Sequence, residues 1–307
     1  SIDAGDGADT IAGGAGDDTI TAAEGNDTVM IGGGGTDVIE GHVPGGGFLP
    51  DMYFTDTLSA EGMTDAVTID FSAGTLSYTG GSATFADFEN FDGGDGSDVV
   101  TLDGDVMTLS TIETGDGDDS VSTSLGGDVI DGGSGEDSLD YSGASAAISV
   151  QASGGSLAVS ESTVVTGAVD SVSNMESLTG TGLGDTIAIG ADAMTLSGES
   201  GDDTMTGGSG ADTLDGGAGT DLMTGGSGDD VFFFQDGDGD DTVTDFVIGD
   251  DLLDFAGLVD PDDVTYSGGS GGDPLDMTYT PGSTAQTVSL EGLTQADIPS
   301  LEVDGFA

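Results

Sequence analysis

The sequence is organised by a nine-residue period that returns along most of its 307 residues. In "GGSGADTLDGGAGTDLMTGGSGDDVF" (207–232), each period carries three glycines, an aspartate and an apolar residue in a fixed order. A short period of this kind predicts a solenoid of stacked turns. Fourteen segments fit the pattern Gly-Gly-x-Gly-x-Asp-x-apolar-x: 4–12, 13–21, 22–30, 32–40, 93–101, 114–122, 123–131, 132–140, 180–188, 198–206, 207–215, 216–224, 225–233 and 236–244.

The eighth position of the pattern tests this alignment independently, because the segments were aligned on the sixth-position Asp. It is apolar in all fourteen segments, although only 35% of the chain is hydrophobic. The fourth position is Gly in every segment except the one with Leu183. Such regular placement argues against disorder, which an acidic, aromatic-poor composition would otherwise favour. The eighth-position residues are Ile11, Ile20, Val29, Ile39, Val100, Val121, Ile130, Leu139, Ile187, Met205, Leu214, Met223, Phe232 and Val243.

The chemistry of one repeat predicts its local structure. Glycines permit positive φ and close backbone approach, so the first six residues are expected to form a tight turn. The x-apolar-x residues, often with Thr or Val first, favour a three-residue strand with one side chain pointing inward. Stacked repeats then form an all-β solenoid around a file of Ile, Val, Leu and Met.

Charge adds a requirement for a cation. The chain has 60 Asp and Glu, no Lys or Arg and one His, which gives a formal net charge of −60. Stacked strands lie about 4.8 Å apart, so the aspartates of stacked turns come close together. Two unit charges about 5 Å apart repel by roughly 1 kcal/mol in water and by about 3 kcal/mol at an effective dielectric constant of 20. A cation between turns reverses this repulsion, and a site with several oxygen ligands favours Ca²⁺ over Mg²⁺ or Zn²⁺.

The repeats "GGAGDDTIT" (13–21), "GGSGEDSLD" (132–140) and "GGSGADTLD" (207–215) resemble the nonapeptides of RTX proteins, the haemolysin-type calcium-binding repeat. The resemblance implies a right-handed parallel β-roll in which successive repeats alternate sides. It also implies several Ca²⁺ ions between turns, held by turn carbonyls and the sixth-position Asp. The implied ligands are Asp9, Asp18, Asp27, Asp37, Asp98, Asp119, Asp128, Asp137, Asp185, Asp203, Asp212, Asp221, Asp230 and Asp241.

Two β insertions and a C-terminal β cap are expected to interrupt and end the roll. A duplication links the two insertions, since the sequence at 88–110 matches that at 175–197. The cap is expected to use Phe232, Phe233, Phe234, Phe246, Leu252, Leu253 and Phe255. The expected divisions are a first roll block (1–40), a β insertion (41–92), a second block (93–140), a β insertion (141–179), a third block (180–244) and a cap (245–307). The last region also resembles the C-terminal region of RTX proteins exported by type I secretion, which implies a secretion signal there.

Several functions are disfavoured by composition. Nucleic acid and anionic membranes need Lys or Arg partners, and without Cys there is no disulfide framework. We find no zinc spacing, phosphate-binding loop or catalytic triad, and His42 is interpreted as a loop residue. The apolar cluster of Phe48, Leu49, Met52, Tyr53 and Phe54 is either a local cap or a contact patch. The chain is therefore not expected to be an enzyme, unless a catalytic domain precedes residue 1.

Two functions remain open at this point. The chain is expected to be a calcium-folded structural protein that self-associates into an extracellular filament, surface layer or adhesive matrix. The alternative is the calcium-dependent folding and secretion module of a larger enzyme, such as a protease, lipase or alginate epimerase. Both place it outside, or on the surface of, a bacterium after type I secretion. Ice binding is disfavoured, because the turns lack a regular Thr-x-Asn row.

Overall fold

The computed structural model describes residues 1–41, 55–102, 110–123, 125–153, 155–162, 169–259, 264–270, 273–280, 285–300 and 303–306. His42 and the apolar cluster from Phe48 to Phe54 lie outside these residues. Regular structure in the described residues consists of β-strands and one 3₁₀ turn at Ile298–Ser300, with no α-helix. The predicted all-β class is confirmed.

The chain divides into two compact lobes. Lobe 1 contains Ser1–Leu139 and Ala168–Met175, and lobe 2 contains Asp140–Gly167 and Glu176–Ala307. The strands of lobe 1 are β1 (Ile2–Asp3), β2 (Thr10–Ala12), β3 (Thr19–Thr21), β4 (Thr28–Met30), β5 (Gly35–Glu40), β6 (Thr57–Ser59), β7 (Val67–Asp70), β8 (Thr75–Tyr78), β9 (Gly81–Ala86), β10 (Asn90–Asp92), β11 (Val99–Thr101), β12 (Thr111–Glu113), β13 (Ser120–Ser122), β14 (Val129–Asp131), β15 (Ser138–Asp140, whose last residue belongs to lobe 2) and β18 (Asp170–Ser173).

The strands of lobe 2 are β16 (Ile148–Ser153), β17 (Ser156–Glu161), β19 (Ser177–Thr179), β20 (Thr186–Ala188), β21 (Thr195–Ser197), β22 (Thr204–Gly208), β23 (Thr213–Asp215), β24 (Leu222–Gly226), β25 (Val231–Phe233), β26 (Asp240–Val243), β27 (Leu252–Val259), β28 (Thr265–Gly268), β29 (Leu275–Tyr279), β30 (Gln286–Leu290) and β31 (Val303–Phe306).

Lobe 1 sorts its strands into two sheets. Sheet 1a has the order β1-β3-β5-β9-β8-β7-β11-β13-β15, and sheet 1b has the order β2-β4-β6-β10-β12-β14-β18. Successive repeats therefore alternate between sheets, and stacked strands are parallel, as in the pairing of Ile11 with Val29. The strands of tandem repeats thus stack on the strand two repeats away in sequence, which is the alternation expected of a β-roll. An antiparallel meander, β7-β8-β9, lies within sheet 1a.

Lobe 2 repeats this arrangement. Sheet 2a has the order β19-β21-β23-β25-β27-β31, and sheet 2b contains β17-β16-β20-β22-β24-β26-β30-β29-β28. The stacked strands are again parallel and two repeats apart, as in the pairings of Leu196 with Leu214 and of Leu214 with Phe232. Antiparallel pairs occur at the β16-β17 hairpin and in β28-β29-β30.

The eighth-position residues form the core of both lobes. All fourteen are buried, and the most exposed of them, Ile11, retains 5% of its surface. The seventh-position neighbours of these residues face outward, as with Val38, which is 52% exposed. Because side chains alternate along a strand, a three-residue strand buries one of them. The sequence-based assignment of the core file is confirmed.

Glycine is required where stacked turns meet. Gly133 and Gly135 have φ of +93° and +153°, values that favour glycine. A Cβ on Gly135 would lie 1.7 Å from the carbonyl oxygen of Gly117, its counterpart one stacked turn away. The second and fourth glycines of a repeat thus combine backbone conformation with close approach between turns.

Aromatic side chains pack in the C-terminal part of lobe 2. The Phe234 and Phe255 rings stack at 5.2 Å, and Phe255 contacts Tyr279 edge-on at 4.7 Å. Phe232 lies 6.2 Å from Phe246. Of the expected cap residues, Phe233 and Leu252 are half-buried and the other five are buried. Tyr279, which the sequence reading did not single out, is 1% exposed and part of this cluster.

Candidate metal centre

The sixth-position aspartates form hydrogen-bonded columns along the stacked turns. Asp221 Oδ1 accepts the backbone N–H of Asp203 at 2.8 Å, and Asp230 Oδ1 accepts that of Asp212 at 2.9 Å. In each pair the donor and the acceptor are one stacked turn apart. The same bond joins Asp9 to Asp27, Asp18 to Asp37, Asp98 to Asp119, Asp119 to Asp137, Asp185 to Asp203 and Asp221 to Asp241. One carboxylate oxygen of each acceptor is therefore used by the backbone.

The second carboxylate oxygen of many column members is buried and accepts no hydrogen bond from the described residues. This holds for Oδ2 of Asp9, Asp27, Asp119, Asp203, Asp212 and Asp221. A buried acceptor without a partner is costly, and more so when it is charged. Of the fourteen predicted residues, all except Asp9 and Asp18 are buried as whole residues. Such oxygens need a cation or a proton.

The first glycine of a repeat faces the same oxygen. A Cβ on Gly198 would lie 2.3 Å from Asp203 Oδ2 and 2.6 Å from the carbonyl oxygen of Gly216. On Gly207, the corresponding distances are 2.4 Å to Asp212 Oδ2 and 2.6 Å to the carbonyl oxygen of Gly225. An unpartnered carboxylate oxygen and a backbone carbonyl of the next stacked turn thus approach the same point. Oxygen donors of these two kinds are those that Ca²⁺ prefers.

The described residues contain no group of three or more acidic or imidazole side chains that could hold a metal ion by themselves. A cation in the column must therefore take most of its ligands from backbone carbonyls, with carboxylates supplying the charge. This fits a hard ion with many oxygen ligands, and it does not fit zinc, which favours His and Cys.

The electrostatics of the column favour an external cation. Burial, reinforced by the neighbouring charges of Asp221 and Asp185, raises the pKa of Asp203 to about 7. Burial and the charges of Asp221 and Asp238 likewise raise the pKa of Asp241 to about 7. The chain has no Lys or Arg to offset these charges. Each raised pKa measures how strongly the site disfavours an unaccompanied carboxylate.

The predicted residues do not share one environment. Asp185 Oδ2 accepts the Thr181 N–H at 2.6 Å, and its Oδ1 accepts the Thr181 hydroxyl at 3.0 Å and the Ile148 N–H at 2.7 Å. Asp98 Oδ2 accepts the N–H of Gly94 at 3.4 Å. Both carboxylates are therefore already engaged by donors, unlike those with an unpartnered Oδ2.

Four acidic residues outside the nonapeptides occupy the same place in the columns. Asp56 Oδ1 accepts the N–H of Asp27, Glu89 Oε2 that of Asp56, Asp170 Oδ1 that of Asp128, and Asp251 Oδ1 that of Asp230. The sequence analysis missed them because the leading pair of glycines of the repeat is absent before each of them. Their signal is the acidic-x-apolar-x ending, in "DTLS" (56–59), "ENFD" (89–92), "DSVS" (170–173) and "DLLD" (251–254).

Comparison with known proteins identifies the repeat. A family model described as the RTX calcium-binding nonapeptide repeat matches four copies, in residues 1–29, 111–143 and 197–232. These segments are RTX calcium-binding repeats. RTX nonapeptides bind Ca²⁺ at multiple sites, so calcium is the cation of these repeats.

The chain was also compared with solved structures and with curated proteins. The crystal structure of the extracellular lipase LipA from Serratia marcescens aligns with 70% of this chain and 39% of its own, at 20% identity and a TM-score of 0.27. The chain thus spans about two fifths of the length of that lipase. No curated protein matches the sequence. In the part of the chain that the structure describes, no helix has the length and apolar character needed to cross a membrane.

Proposed function

We propose that this chain is a secreted structural protein that folds when calcium fills its RTX columns and then self-associates into an extracellular filament, surface layer or adhesive matrix. The proposed calcium ligands are the fourteen sixth-position aspartates, together with turn carbonyls, and the chain itself has no catalytic role. The carrying observation is the set of buried Oδ2 atoms that accept no hydrogen bond from the described residues.

Calcium dependence follows from the charge of the columns. Without an ion, folding brings carboxylates such as Asp203 and Asp221 together and out of water, which costs free energy that the chain cannot recover through Lys or Arg. An ion bound only by the folded chain adds stability of RT ln(1 + [Ca²⁺]/Kd) per site, about 2.7 kcal/mol at a hundred times Kd. Extracellular calcium modules bind at about 10⁻⁴ to 10⁻³ M, so the chain stays unfolded in calcium-poor cytosol and folds outside.

Export by type I secretion agrees with this order of events. RTX repeat proteins are typically secreted by this route. We assign residues 245–307 to the C-terminal cap and signal region, on the basis of their position after the last repeat and their larger apolar content.

Self-association is supported by the exposed acidic side chains that do not belong to the columns. Acidic side chains at the fifth position of repeats, such as Asp17, Asp202 and Asp229, are exposed. At a formal charge of −60, two copies repel at low salt. Divalent ions reduce that charge and can bridge carboxylates of adjacent copies, so calcium acts on assembly as well as on folding.

Sedimentation across a calcium titration tests the proposal. The purified chain is followed from chelator to millimolar Ca²⁺ by analytical ultracentrifugation and circular dichroism, with electron microscopy of the end point. We expect a coil-like monomer to convert to a β-rich species and then to ordered polymers. Mg²⁺ at the same concentration is the control for simple charge screening, and it should support neither step to the same extent.

The two parts of the proposal fail separately. A chain that is equally folded in chelator and in calcium contradicts calcium-gated folding. A chain that folds with calcium but stays monomeric at high protein concentration contradicts assembly, and would favour the alternative of a folding and secretion module of a larger enzyme.

A further inference from the structure

Gln286 lies in lobe 2 where the roll meets the C-terminal cap, at a place where the repeats have glycine. Strand β30 stacks in parallel on β26, with Asp240 opposite Thr287. The same register puts Gln286 level with Gly239, the fourth-position glycine of the last repeat (236–244). A long polar side chain therefore stands where a further repeat would continue the stack of turns.

The Gln286 amide is buried and is surrounded by backbone groups of the last turn. The residue is 3% exposed, and a buried amide needs hydrogen-bond partners. In the orientation that satisfies both ends of the amide, Oε1 accepts the N–H groups of Asp238 and Gly239 at 2.8 Å each and that of Gly237 at 3.2 Å. Nε2 donates to the carbonyl oxygen of Gln235 at 3.3 Å. One side chain of the cap thus contacts this turn at four points.

The three N–H groups form a concavity of a kind that usually holds an anion. Gly237 and Gly239 shape it, with φ of +110° and +118°. The preceding repeat (225–233) shows the charged version of this contact. There, the consecutive N–H groups of Gly225 and Gly226 donate to the two oxygens of the Asp245 carboxylate, at 2.9 Å each. The last turn takes a neutral amide instead.

A neutral group suits this turn because the turn is already acidic. Asp236 and Asp240 are exposed on it, and the buried Asp238 accepts the N–H of Gln235. A carboxylate at position 286 would add a further negative charge, which the chain has no Lys or Arg to offset. Glutamine supplies an acceptor without charge, and its amide also supplies an N–H donor.

A second glutamine extends the contact into the repeats. Gln235 accepts the Gln286 amide through its backbone carbonyl, and its own Nε2 donates to Asp215 Oδ2 at 3.2 Å. Asp215 ends strand β23 of sheet 2a, whereas Gln286 begins strand β30 of sheet 2b. The two amides therefore connect the cap to both sheets of lobe 2.

We propose that Gln286 is a neutral clasp that fastens the C-terminal strands to the last turn of the roll and ends the stack there. Strands β29 and β28 are held with it, because β29 pairs with β30 and β28 with β29. The clasp acts through hydrogen bonds and needs no cation, so it goes beyond the calcium columns of the proposed function. It also occupies N–H groups that an incoming chain would otherwise find unpaired at this turn.

Hydrogen exchange of the whole, calcium-loaded chain tests the clasp. Gln286→Met keeps a side chain of similar length but removes both polar ends. We expect the N–H groups of residues 237–239 to exchange about tenfold faster than in the wild type, as for a lost buried hydrogen bond. Gln151→Met is the matched control, because it makes the same change at an exposed glutamine of lobe 2. It should leave exchange at 237–239 at the wild-type rate.

The outcomes separate the clasp from the calcium columns. Wild-type exchange at 237–239 in Gln286→Met overturns the clasp and leaves calcium binding by the repeats unaffected. Equal acceleration in Gln151→Met overturns it as well, because the effect is then not specific to Gln286. If Gln286→Met fails to fold, a crystal structure of the wild-type chain decides. An amide within hydrogen-bond distance of the Asp238 and Gly239 N–H groups supports the clasp, and a Gln286 side chain turned to solvent overturns it.

Discussion

Replacing Asp203 by Asn separates the two tasks of a column carboxylate. Asp203 is 1% exposed, its Oδ1 accepts the Asp185 N–H at 2.5 Å, and its Oδ2 has no donor among the described residues. Asparagine keeps the Oδ1 acceptor and the side-chain volume. It removes the negative charge and places an amide where a cation is expected, so the substitution removes a ligand with little change to the backbone contacts.

The size of the effect follows from the burial of the site. Removing one partner of a buried charge pair costs about 3–5 kcal/mol, which lowers affinity by about two to four orders of magnitude at roughly 1.4 kcal/mol per tenfold. A site with a Kd near 10⁻⁴ M is then empty at millimolar calcium. The folded state loses up to about 2.7 kcal/mol at a calcium concentration a hundred times the wild-type Kd.

The assay is the calcium midpoint of folding, read by circular dichroism, with calorimetry for the number of ions bound. Asp229→Asn is the matched control, since it makes the same charge change at an exposed residue of a later repeat in the same block. Asp203→Asn should raise the midpoint and lower the ion count, and Asp229→Asn should leave both near the wild-type values. Equal midpoints for the two variants would refute the assignment of Asp203 as a ligand.

Three further outcomes are expected. Gly207→Ala should weaken calcium binding and lower the free energy of unfolding by about 1–3 kcal/mol through overpacking, because its Cβ would lie 2.4 Å from Asp212 Oδ2. Gly182→Ala is the control, because its Cβ would have nothing within 4 Å, and it should leave calcium binding unchanged. Calcium titrations of the two variants measure the difference. Leu214→Ala should lower the free energy of unfolding in calcium by about 2–5 kcal/mol, because Leu214 is fully buried; denaturant titration measures this, and a loss well below that range would contradict its core role. The calcium-free chain should be more folded at pH 5 than at pH 8, because the pKa of Asp203 and of Asp241 rises from 3.8 to about 7 on folding, so apo stability falls as pH rises between those values; identical circular dichroism at both pH values would contradict it.

The repeats were predictable because each structural requirement restricts one position of the nonapeptide to glycine, to aspartate or to an apolar residue. Gly135 is needed where a Cβ would strike Gly117, and Leu214 where one inward position serves each strand. Both requirements recur with the nonapeptide period, so the sequence carries them repeatedly. The alternation of repeats between two sheets came from the resemblance to RTX proteins, and the pairing of strands two repeats apart confirms it.

The other column members could not be predicted from the period. Asp56 takes its place through Gly41 and Asp87, which lie far from it on either side in sequence, so no local pattern marks it. Tyr279 is buried by contact with Phe255 across strands distant in sequence. In both cases the decisive neighbours are set by the pairing of inserted strands with the stack.

The columns are also interrupted, and this limits how calcium binding can spread. Ser110 and Met194 occupy sixth-position places, because their N–H groups donate to Asp128 Oδ1 and Asp212 Oδ1 at 2.9 Å. Neither has a carboxylate to offer the next ion. In sheet 2a, the hydrogen-bonded acidic column after Met194 therefore runs from Asp212 through Asp230 to Asp251. A carboxylate that contacts ions on both adjacent turns couples the binding of those ions. Met194 keeps the backbone hydrogen bond to Asp212 but has no carboxylate that could couple them. Calcium should consequently fill the sites of each lobe in separate cooperative groups. Ser110 in lobe 1 and Met194 in lobe 2 mark the boundaries between these groups.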